Sequence, residues 1–348
     1  MRYFVFFFCF LSTITFVLEA QQKITGHIFD ATDESPVAGA SIFVANTTIG
    51  TTSDENGRYT IIVAGEGSFE IVVSHVGYQP VFHKINAPKP SHQIDVILEI
   101  KELQELTIMP NDKSYSQKDV DLFWLKLLGV KPSKKGLEVL NPEKVFFYLN
   151  SDNVLKVSCD TPIEIVNHDL GYHIWYFLKS FQHDYRKNGT TFYGQPFFEE
   201  LTPQNDRQKK MWEKNRQLVY SVSLIRFFRA LYREQIYEEG FFLINRDSLR
   251  RAKTRFPLQE IRIAGENHVQ LDIRTPLYLA CVSKPITDTM IQNTYYTVFS
   301  SGKTFPVMIL FPQQLTVYPD GTYSGLLEIR ELRDSIIGLS CMLPSDYR

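Results

Sequence analysis

Residues 50–63 read GTTSDENGRYTIIV, and this stretch decides the fold of the first part of the chain. Its second half places Tyr59, Ile61 and Val63 on one side of an extended chain, because alternate side chains of a strand point to the same face. Its first half contains Asp54-Glu55-Asn56-Gly57, and these residue types tolerate the positive φ angles of tight turns. The stretch therefore predicts a turn that leads into a strand with one buried face.

The same pattern extends in both directions from this strand. Phe69, Ile71 and Val73 alternate in the next run, and residues 23–99 contain no convincing helical period. Short runs rich in Val, Ile, Thr and aromatic residues occupy positions 24–29, 41–45, 50–52, 58–63, 69–74, 81–85 and 93–98. Seven short strands separated by turn residues predict an all-β N-terminal sandwich over residues 21–100.

Several motifs in this segment carry a resemblance to a known family. They are Gly26-x-Ile28-x-Asp30, Pro36-Val37-x-Gly39-Ala40-x-Ile42-x-Val44, Gly50-Thr51-Thr52-x-Asp54-x-x-Gly57-x-Tyr59 and Ser74-x-x-Gly77-Tyr78. Together they resemble the carboxypeptidase-like regulatory domain, a transthyretin-like β-sandwich. The resemblance implies a non-catalytic module without active-site residues, often found at the front of exported proteins and outer-membrane receptors of Gram-negative bacteria.

The first 20 residues have the pattern of a signal peptide. Met1-Arg2 supplies a minimal positive region, residues 3–18 are mostly apolar, and Glu19-Ala20-Gln21 offers a cleavage point. A retained membrane anchor is the alternative, but the apolar stretch is shorter than the roughly 20 residues that a spanning helix needs. We therefore expect an exported protein of the periplasm or of the periplasmic face of the outer membrane, with the cell surface as an alternative.

The composition excludes several classes of protein. The chain has 348 residues, 37 Lys+Arg against 39 Asp+Glu, a formal charge of −2 and 44% hydrophobic residues. This mixture can bury a core, and it does not fit a disordered tail, a collagen-like repeat or a globally basic nucleic-acid binder. After the leader, no stretch is long enough for a transmembrane helix. We expect no nucleic-acid partner and no transmembrane span in the mature chain.

An α+β domain is predicted for residues 116–348, after a linker at 101–115. Ser116 can cap a helix that runs to Leu128, and Gly129 would end it. Strand-like runs follow at 145–149, 154–158, 163–167 and 172–181. The longest helical candidate is 205–239, with a break near Tyr220-Ser221, and short strand-like runs return from Phe241 onward.

This second part also carries a resemblance. Its motifs are Asn167-x-x-Leu170-Gly171-Tyr172-x-Ile174-x-Tyr176-x-Leu178-x-x-Phe181, Tyr193-Gly194-x-Pro196-x-Phe198, Trp212-x-x-Asn215-Arg216-x-x-x-Tyr220 and Leu343-Pro344-x-Asp346-Tyr347. They resemble a family of uncharacterised exported Gram-negative bacterial proteins. Where that family tends to have Tyr-x-Gly-Ser and then His-Phe, this chain has Val222-Ser223 and Arg226-Phe227. The resemblance implies architecture and location, and no activity.

No catalytic, cofactor or metal motif is present in the sequence. HxxE, HExxH, GxSxG and a complete phosphate loop are all missing. Two histidine groups could gather a metal only if folding brought them together: His75, His83 and His92, and His168 with His173. After the leader, three cysteines remain at 159, 281 and 341, which allow at most one disulfide. We therefore assign no catalytic residue, no cofactor and no metal ligand.

Positive charge is concentrated in residues 207–262, which hold 14 basic and 6 acidic side chains. The residues proposed for a basic partner surface are Lys209, Lys210, Arg226, Arg229, Arg233, Arg250 and Arg251. Such a surface could attract an acidic envelope protein or an anionic envelope glycan or lipid. The alternative is a solvated helix face with a few intramolecular ion pairs.

Trp212, Asn215, Arg216 and Tyr220 form the candidate ligand-binding cluster. Trp212, Arg216 and Tyr220 are spaced four apart, so one helix face could present stacked aromatic and guanidinium groups to a sugar or a peptide. The alternative is that Arg216 stacks internally and anchors the helix on a sheet.

These patterns favour an exported, non-enzymatic binding or scaffolding protein. A peptide or glycan hydrolase with its site in the C-terminal domain is one alternative, and a surface polysaccharide binder or adhesin is another. A cleft that gathers carboxylates or a histidine with a shifted pKa would favour the enzyme. A flat basic or aromatic patch would favour binding.

Overall fold

The computed structural model describes a defined part of the chain. The described residues are 21–64, 68–85, 91–101, 114–245, 256–281, 307–310, 313–324, 329–332, 339 and 342–347. The predicted signal peptide, most of the predicted linker, Arg250, Arg251 and Cys341 lie outside these residues. Their predictions, and the predicted domain boundaries, stay predictions.

The N-terminal part is a β-sandwich, as the alternating runs predict. Its strands are β1 (Gln21–Asp30), β2 (Ser41–Val44), β3 (Gly50–Thr52), β4 (Arg58–Ala64), β5 (Phe69–Ser74), β6 (Val81–Ile85), β7 (Ser91–Gln93) and β8 (Val96–Leu98). One sheet has the order β4-β1-β7, with β8 also paired to β1, and the other has the order β3-β2-β5-β6. The last predicted run is thus two short strands, both parallel to β1. Alternate residues of β1 and β4 fill the core between the sheets.

The turn before β4 is built by the residues that the sequence supplies there. Asp54 accepts hydrogen bonds through Oδ1 from the backbone N–H groups of Asn56 (2.9 Å) and Arg58 (2.8 Å). Gly57 has φ of 72°, and a Cβ at this position would lie 2.5 Å from the carbonyl oxygen of Ile28. Only glycine therefore combines the positive φ with this close approach to β1.

A six-stranded antiparallel sheet forms the centre of the molecule. Its elements are β9 (Leu137–Val139), β10 (Val145–Leu149), β11 (Val154–Cys159), β12 (Ile163–Asn167), β13 (Tyr172–Asp184) and β14 (Gly189–Glu200). The order is β10-β11-β13-β12-β9, and β14 pairs with β13. Strand β14 was not predicted, because Gly194 and Pro196 interrupt the strand pattern.

Helix α1 (Gln117–Leu128) packs on this sheet and confirms the predicted first helix. Ser116 donates through its backbone N–H and its hydroxyl to Asp119 Oδ2, both at 2.7 Å, and the hydroxyl of Tyr185 donates to Asp119 Oδ1. Gly129 ends the helix with φ of 80°. The inward face buries Phe123, Trp124, Leu127 and Leu128.

The predicted long helix is two helices in the structure. They are α2 (Asp206–Ser221) and α3 (Leu224–Tyr232), and the side chain of Ser223 caps α3 by accepting from the backbone N–H of Arg226. The break falls next to the predicted position, but the second helix ends at Tyr232 rather than at Glu239. Residues 233–240 instead form turns that lead into the next strand.

The remaining strands form two small antiparallel sheets. They are β15 (Phe241–Asn245), β16 (Arg262–Ala264), β17 (Val269–Ile273), β18 (Leu277–Cys281), β19 (Val307–Leu310), β20 (Gln313–Val317), β21 (Tyr323–Ser324) and β22 (Ile329–Leu332). The orders are β15-β18-β19-β22 and β16-β17-β20-β21. Phe227, Phe228 and Leu231 of α3 are buried in the core that these sheets share. The predicted fold class, a β-sandwich followed by an α+β domain, is therefore confirmed.

Two further features bear on the predictions. Burial raises the pKa of the Cys159 thiol and of the Cys281 thiol to about 11. Among the described residues, no helix combines the length and the apolar character that crossing a membrane requires.

The sandwich packs directly against the central sheet. Phe43 of β2 lies with its ring centroid 5.0 Å from that of Phe177 and 4.8 Å from that of Phe197. Two backbone hydrogen bonds join the parts: Asn46 N–H donates to the Pro196 carbonyl (2.7 Å), and Phe198 N–H donates to the Thr47 carbonyl (3.0 Å). The turn after β2 therefore covers the outer edge of β14.

Candidate functional site

Helix α2 holds a turn of the central sheet through its buried face. The turn is residues 168–171 between β12 and β13, and each of its four carbonyl oxygens accepts a side-chain hydrogen bond from α2. The donors are Trp212 Nε1 to His168 (2.7 Å), Asn215 Nδ2 to Asp169 (2.8 Å), Arg216 Nε to Leu170 (2.7 Å) and Arg216 Nη2 to Gly171 (3.1 Å). We call this arrangement the α2 clamp.

The clamp depends on close contacts between Gly171, Trp212 and Arg216. Gly171 has φ of 70°, and a Cβ there would lie 2.3 Å from Trp212 Cδ2, so the indole ring packs directly on the backbone. The Arg216 guanidinium lies 4.0 Å from the ring centroid of Tyr172. Arg216 Nη1 also forms an ion pair with Glu200 at 3.2 Å.

The four predicted ligand-binding residues differ in their environment. Trp212 and Arg216 are only 5% and 9% exposed, and their polar atoms serve the turn. Tyr220 accepts a hydrogen bond from Arg229 Nη1 at 2.8 Å and packs on the ring of Tyr347. Trp212 and Arg216 therefore do not form the predicted open aromatic and guanidinium surface, because both side chains anchor α2 internally. Ligand binding through Asn215 stays a prediction, since this residue borders a cleft.

The cleft lies between α2, the loop after α1 and the turn 168–171. Its volume is about 520 Å³, and it is an open depression in the surface rather than an enclosed cavity. Its apolar lining is Val130, Leu137, Leu170, Leu218 and Val219, and its polar lining is Lys131, Ser133, Asp169 and Asn215. Lys134 and Lys135 are exposed on the same loop. We call residues 130–136 the lysine loop.

The outward face of α2 continues from this cleft. Arg207, Lys210, Met211, Lys214 and Leu218 follow the spacing i, i+3, i+4, i+7 and i+11, which places them on one side of a helix. The three cations are exposed, and Met211 and Leu218 are 44% and 59% exposed. None of the three cations forms an ion pair with a residue that the structure describes. We call these five residues the α2 basic face. Of these five residues, only Lys210 was among the predicted site residues. The helical spacing was the signal that could have identified the other four.

The residues of the predicted basic partner surface are not all exposed in the structure. Arg226 forms an ion pair with Glu239 at 2.7 Å, and Arg229 donates to the carbonyl oxygens of Asp320 (2.8 Å) and Ser345 (3.0 Å). These two arginines are therefore engaged within the molecule, as the alternative interpretation predicts. Lys209, Lys210 and Arg233 are exposed, and Arg250 and Arg251 lie outside the described residues.

Among the described residues, no histidine lines the cleft, although His168 belongs to the turn 168–171 that borders it. Burial lowers the pKa of His173 and of His183 on β13, and His183 Nδ1 lies 2.7 Å from the Thr190 hydroxyl of the paired strand. Within the described part of the chain, no three His, Cys, Asp or Glu side chains gather as a metal site would require. His168 instead pairs with Glu138 at 3.1 Å.

We expect His183→Gln to reduce the loss of folding stability between pH 7.5 and pH 5.5. Burial lowers the pKa of His183 in the folded state. As the pH falls through the ordinary histidine range, the imidazole is therefore protonated more readily in the unfolded state than in the folded state. The free energy of unfolding decreases accordingly. Glutamine keeps a hydrogen-bonding group for Thr190 but does not titrate. Urea unfolding midpoints measured at pH 7.5 and 5.5 should differ less for the variant than for the native chain. Equal differences would contradict the prediction.

The fold is a β-sandwich followed by an α+β part. Residues 24–108 match the family model of the CarboxypepD_reg-like domain, so this first part carries a carboxypeptidase-like regulatory domain, as its motifs predict. The resemblance of the second part to uncharacterised exported proteins stays a prediction. A comparison with curated proteins finds no match.

About a quarter of this chain is similar to parts of several solved structures. One is 3-chlorocatechol 1,2-dioxygenase from Rhodococcus opacus 1CP, with 11% identity over 24% of this chain and 61% of that chain, and a TM-score of 0.20. Another is catechol 1,2-dioxygenase from Acinetobacter sp. ADP1, with 12% identity over 25% and 54% and a TM-score of 0.21. A cohesin–X-dockerin complex from Acetivibrio cellulolyticus matches with 13% identity over 26% and 65% and a TM-score of 0.22. The chain thus spans less than two thirds of each, and these scores support no functional argument.

Proposed function

We propose that this protein is an exported, non-enzymatic binding or scaffolding component at the periplasmic face of the outer membrane. The observation that supports the proposal is the combined surface of the lysine loop and the α2 basic face. The lysine loop supplies Lys131, Lys134 and Lys135, the α2 basic face supplies Arg207, Lys210 and Lys214, and Lys131 lines the same cleft as the exposed Leu218. The first 20 residues and the family resemblances support export, and the open basic patch supports binding.

A scaffolding role is supported by the contacts that join the two parts. Glu70 of the sandwich accepts a hydrogen bond from Gln195 Nε2 at 2.6 Å and pairs with Lys179 Nζ at 3.4 Å. Asp346 accepts from the backbone N–H of Thr48 at 3.2 Å, and Ser345 N–H donates to the Asn46 carbonyl at 2.6 Å. The sandwich is thus tied to the central sheet through Glu70 and to the C-terminal segment 342–347 through Asn46 and Thr48.

The cleft is a poor match for the hydrolase alternative. Asp169 is its single carboxylate among the described lining residues, and no histidine lines it there. General acid–base catalysis by paired side chains needs two titratable groups within reach of the reacting bond. This geometry favours binding over hydrolysis.

We expect a photo-crosslinking side chain at position 218 to capture envelope components in the native host. The matched control is the same substitution at Ile62, which is 53% exposed on β4 of the sandwich. Products found at 218 and missing at 62, identified by mass spectrometry of the envelope fraction, would support the proposal. Absence of products at 218, combined with turnover of peptide or glycan substrates by the purified protein, would contradict it.

A further inference from the structure

We propose that the α2 basic face and the lysine loop dock this protein onto the surface of an anionic phospholipid bilayer. This inference rests on the proposed function and names the partner of the same surface. It is carried by the arrangement of charge and apolar exposure on α2, rather than by the amount of positive charge alone.

The composition of the α2 basic face matches a helix that lies in a membrane interface. Met211 and Leu218 are two turns apart, and Lys214 lies between them with Lys210 and Arg207 on the N-terminal side. Interfacial helices insert apolar side chains at the boundary between headgroups and acyl chains, and their lysines and arginines extend to the phosphates. No carboxylate of α2 shares this face, because Asp206 and Glu213 fall on its flank by helical spacing.

The lysine loop extends the positive surface beyond the helix. Lys131 lines the cleft together with Leu218, so the loop and the helix face border the same opening. Four carboxylates border the six cations of this surface: Asp206 and Glu213 lie on the flank of α2, Asp169 lines the cleft, and Asp121 lies 3.7 Å from Lys131 Nζ. The cations outnumber these acids, which gives the surface a net attraction for anionic headgroups.

The α2 clamp fixes which face of the helix is turned outward. Trp212 and Arg216 each donate to the turn 168–171 from the opposite side of α2. The helix therefore cannot roll to bury Met211 and Leu218 without breaking these hydrogen bonds. The two exposed side chains are held outward before any partner arrives, which lowers the ordering cost of docking.

A bilayer fits this surface better than a soluble anion does. Phosphate or an acidic sugar would satisfy the cations and leave Met211 and Leu218 in water, whereas a bilayer offers both phosphates and an apolar layer. The proposal therefore requires that both the charge and the apolar side chains contribute to binding.

The test is flotation of the full chain with vesicles. Vesicles of phosphatidylcholine alone are compared with vesicles of equal parts phosphatidylcholine and phosphatidylglycerol, at low and at high salt. The test variants are the double variant Lys210→Glu/Lys214→Glu and the single variant Leu218→Ser. The matched controls are Arg58→Glu and Ile62→Ser, two exposed residues of β4 on the sandwich. All chains carry the same residues 1–20, so any contribution of that apolar segment is common to them.

We expect the native chain to float with anionic vesicles, more strongly at low salt, and the charge variant to bind at least about tenfold more weakly. Leu218→Ser should also weaken binding, and both controls should bind as the native chain does. Circular dichroism and thermal unfolding confirm that each variant is folded. Failure of the native chain to bind anionic vesicles would overturn the inference, as would equal losses in the controls or undiminished binding of Leu218→Ser. Crosslinks from position 218 to a protein alone would leave the proposed function standing and reject the bilayer as partner.

Discussion

Trp212→Ala is expected to lower the free energy of unfolding by about 3–5 kcal/mol, the range for truncating a buried large aromatic side chain. The indole is 5% exposed and packs on the backbone of Gly171, which has no side chain to fill the space that the indole would leave. The substitution also removes the donor to the His168 carbonyl. A buried carbonyl without a partner adds to the cost of the cavity.

Two variants separate the contributions to this loss. Trp212→Phe keeps most of the ring and removes the N–H donor, so we expect a smaller loss, about 1–3 kcal/mol. Met211→Ala changes the neighbouring residue, which is 44% exposed, and should stay within about 0.5 kcal/mol of the native chain. Urea unfolding followed by circular dichroism measures all three. If Trp212→Ala lost no more than Met211→Ala, the α2 clamp would not exist in solution.

The sequence was sufficient for the first domain because local and global signals agree there. Asp54 and Gly57 specify the turn, and the alternation of Tyr59, Ile61 and Val63 specifies which face of β4 is buried. Each feature is encoded within a few residues, so no long-range contact is needed to interpret it. The break between α2 and α3 was predicted near Tyr220-Ser221, next to Ser223, whose side chain caps α3 in the structure.

The central sheet was harder to predict because one of its strands depends on the other domain. Strand β14 contains Gly194 and Pro196, which weaken a strand pattern. Its outer edge is covered by the turn at Asn46 and Thr47, far away in sequence. A sheet edge that is covered by a distant loop is protected by a contact that the strand's own residues do not encode. No local rule could show that contact.

The candidate site shows the same limit. The spacing of Trp212, Arg216 and Tyr220 correctly indicates one helix face, but the spacing alone cannot tell whether that face is buried. The turn 168–171, which accepts the hydrogen bonds of Trp212 and Arg216, is about 45 residues away along the chain. The outward face of the same helix, with Met211 and Leu218 between cations, was readable from the sequence once the helix was placed.

Phe43→Ala is expected to lower the free energy of unfolding by about 3–5 kcal/mol, because its ring is 3% exposed and lies between Phe177 and Phe197 of the central sheet. This ring is on the outer face of its own sheet, so its burial comes from the contact between the two parts of the molecule. The substitution should therefore weaken the contact between the sandwich and the central sheet and leave the sandwich itself folded.

Hydrogen exchange distinguishes undocking from unfolding of the sandwich. The amides of Asn46 and Phe198 donate across the contact, so both should lose protection in Phe43→Ala, whereas the amides of β4 should keep theirs. Ile97→Ala is the matched control, since Ile97 is 61% exposed on the other sheet of the sandwich. It should change stability by no more than about 0.5 kcal/mol. Unchanged protection at Asn46 and Phe198 in Phe43→Ala would contradict this prediction. It would mean that the backbone hydrogen bonds along the edge of β14 hold the two parts together without the Phe43 ring.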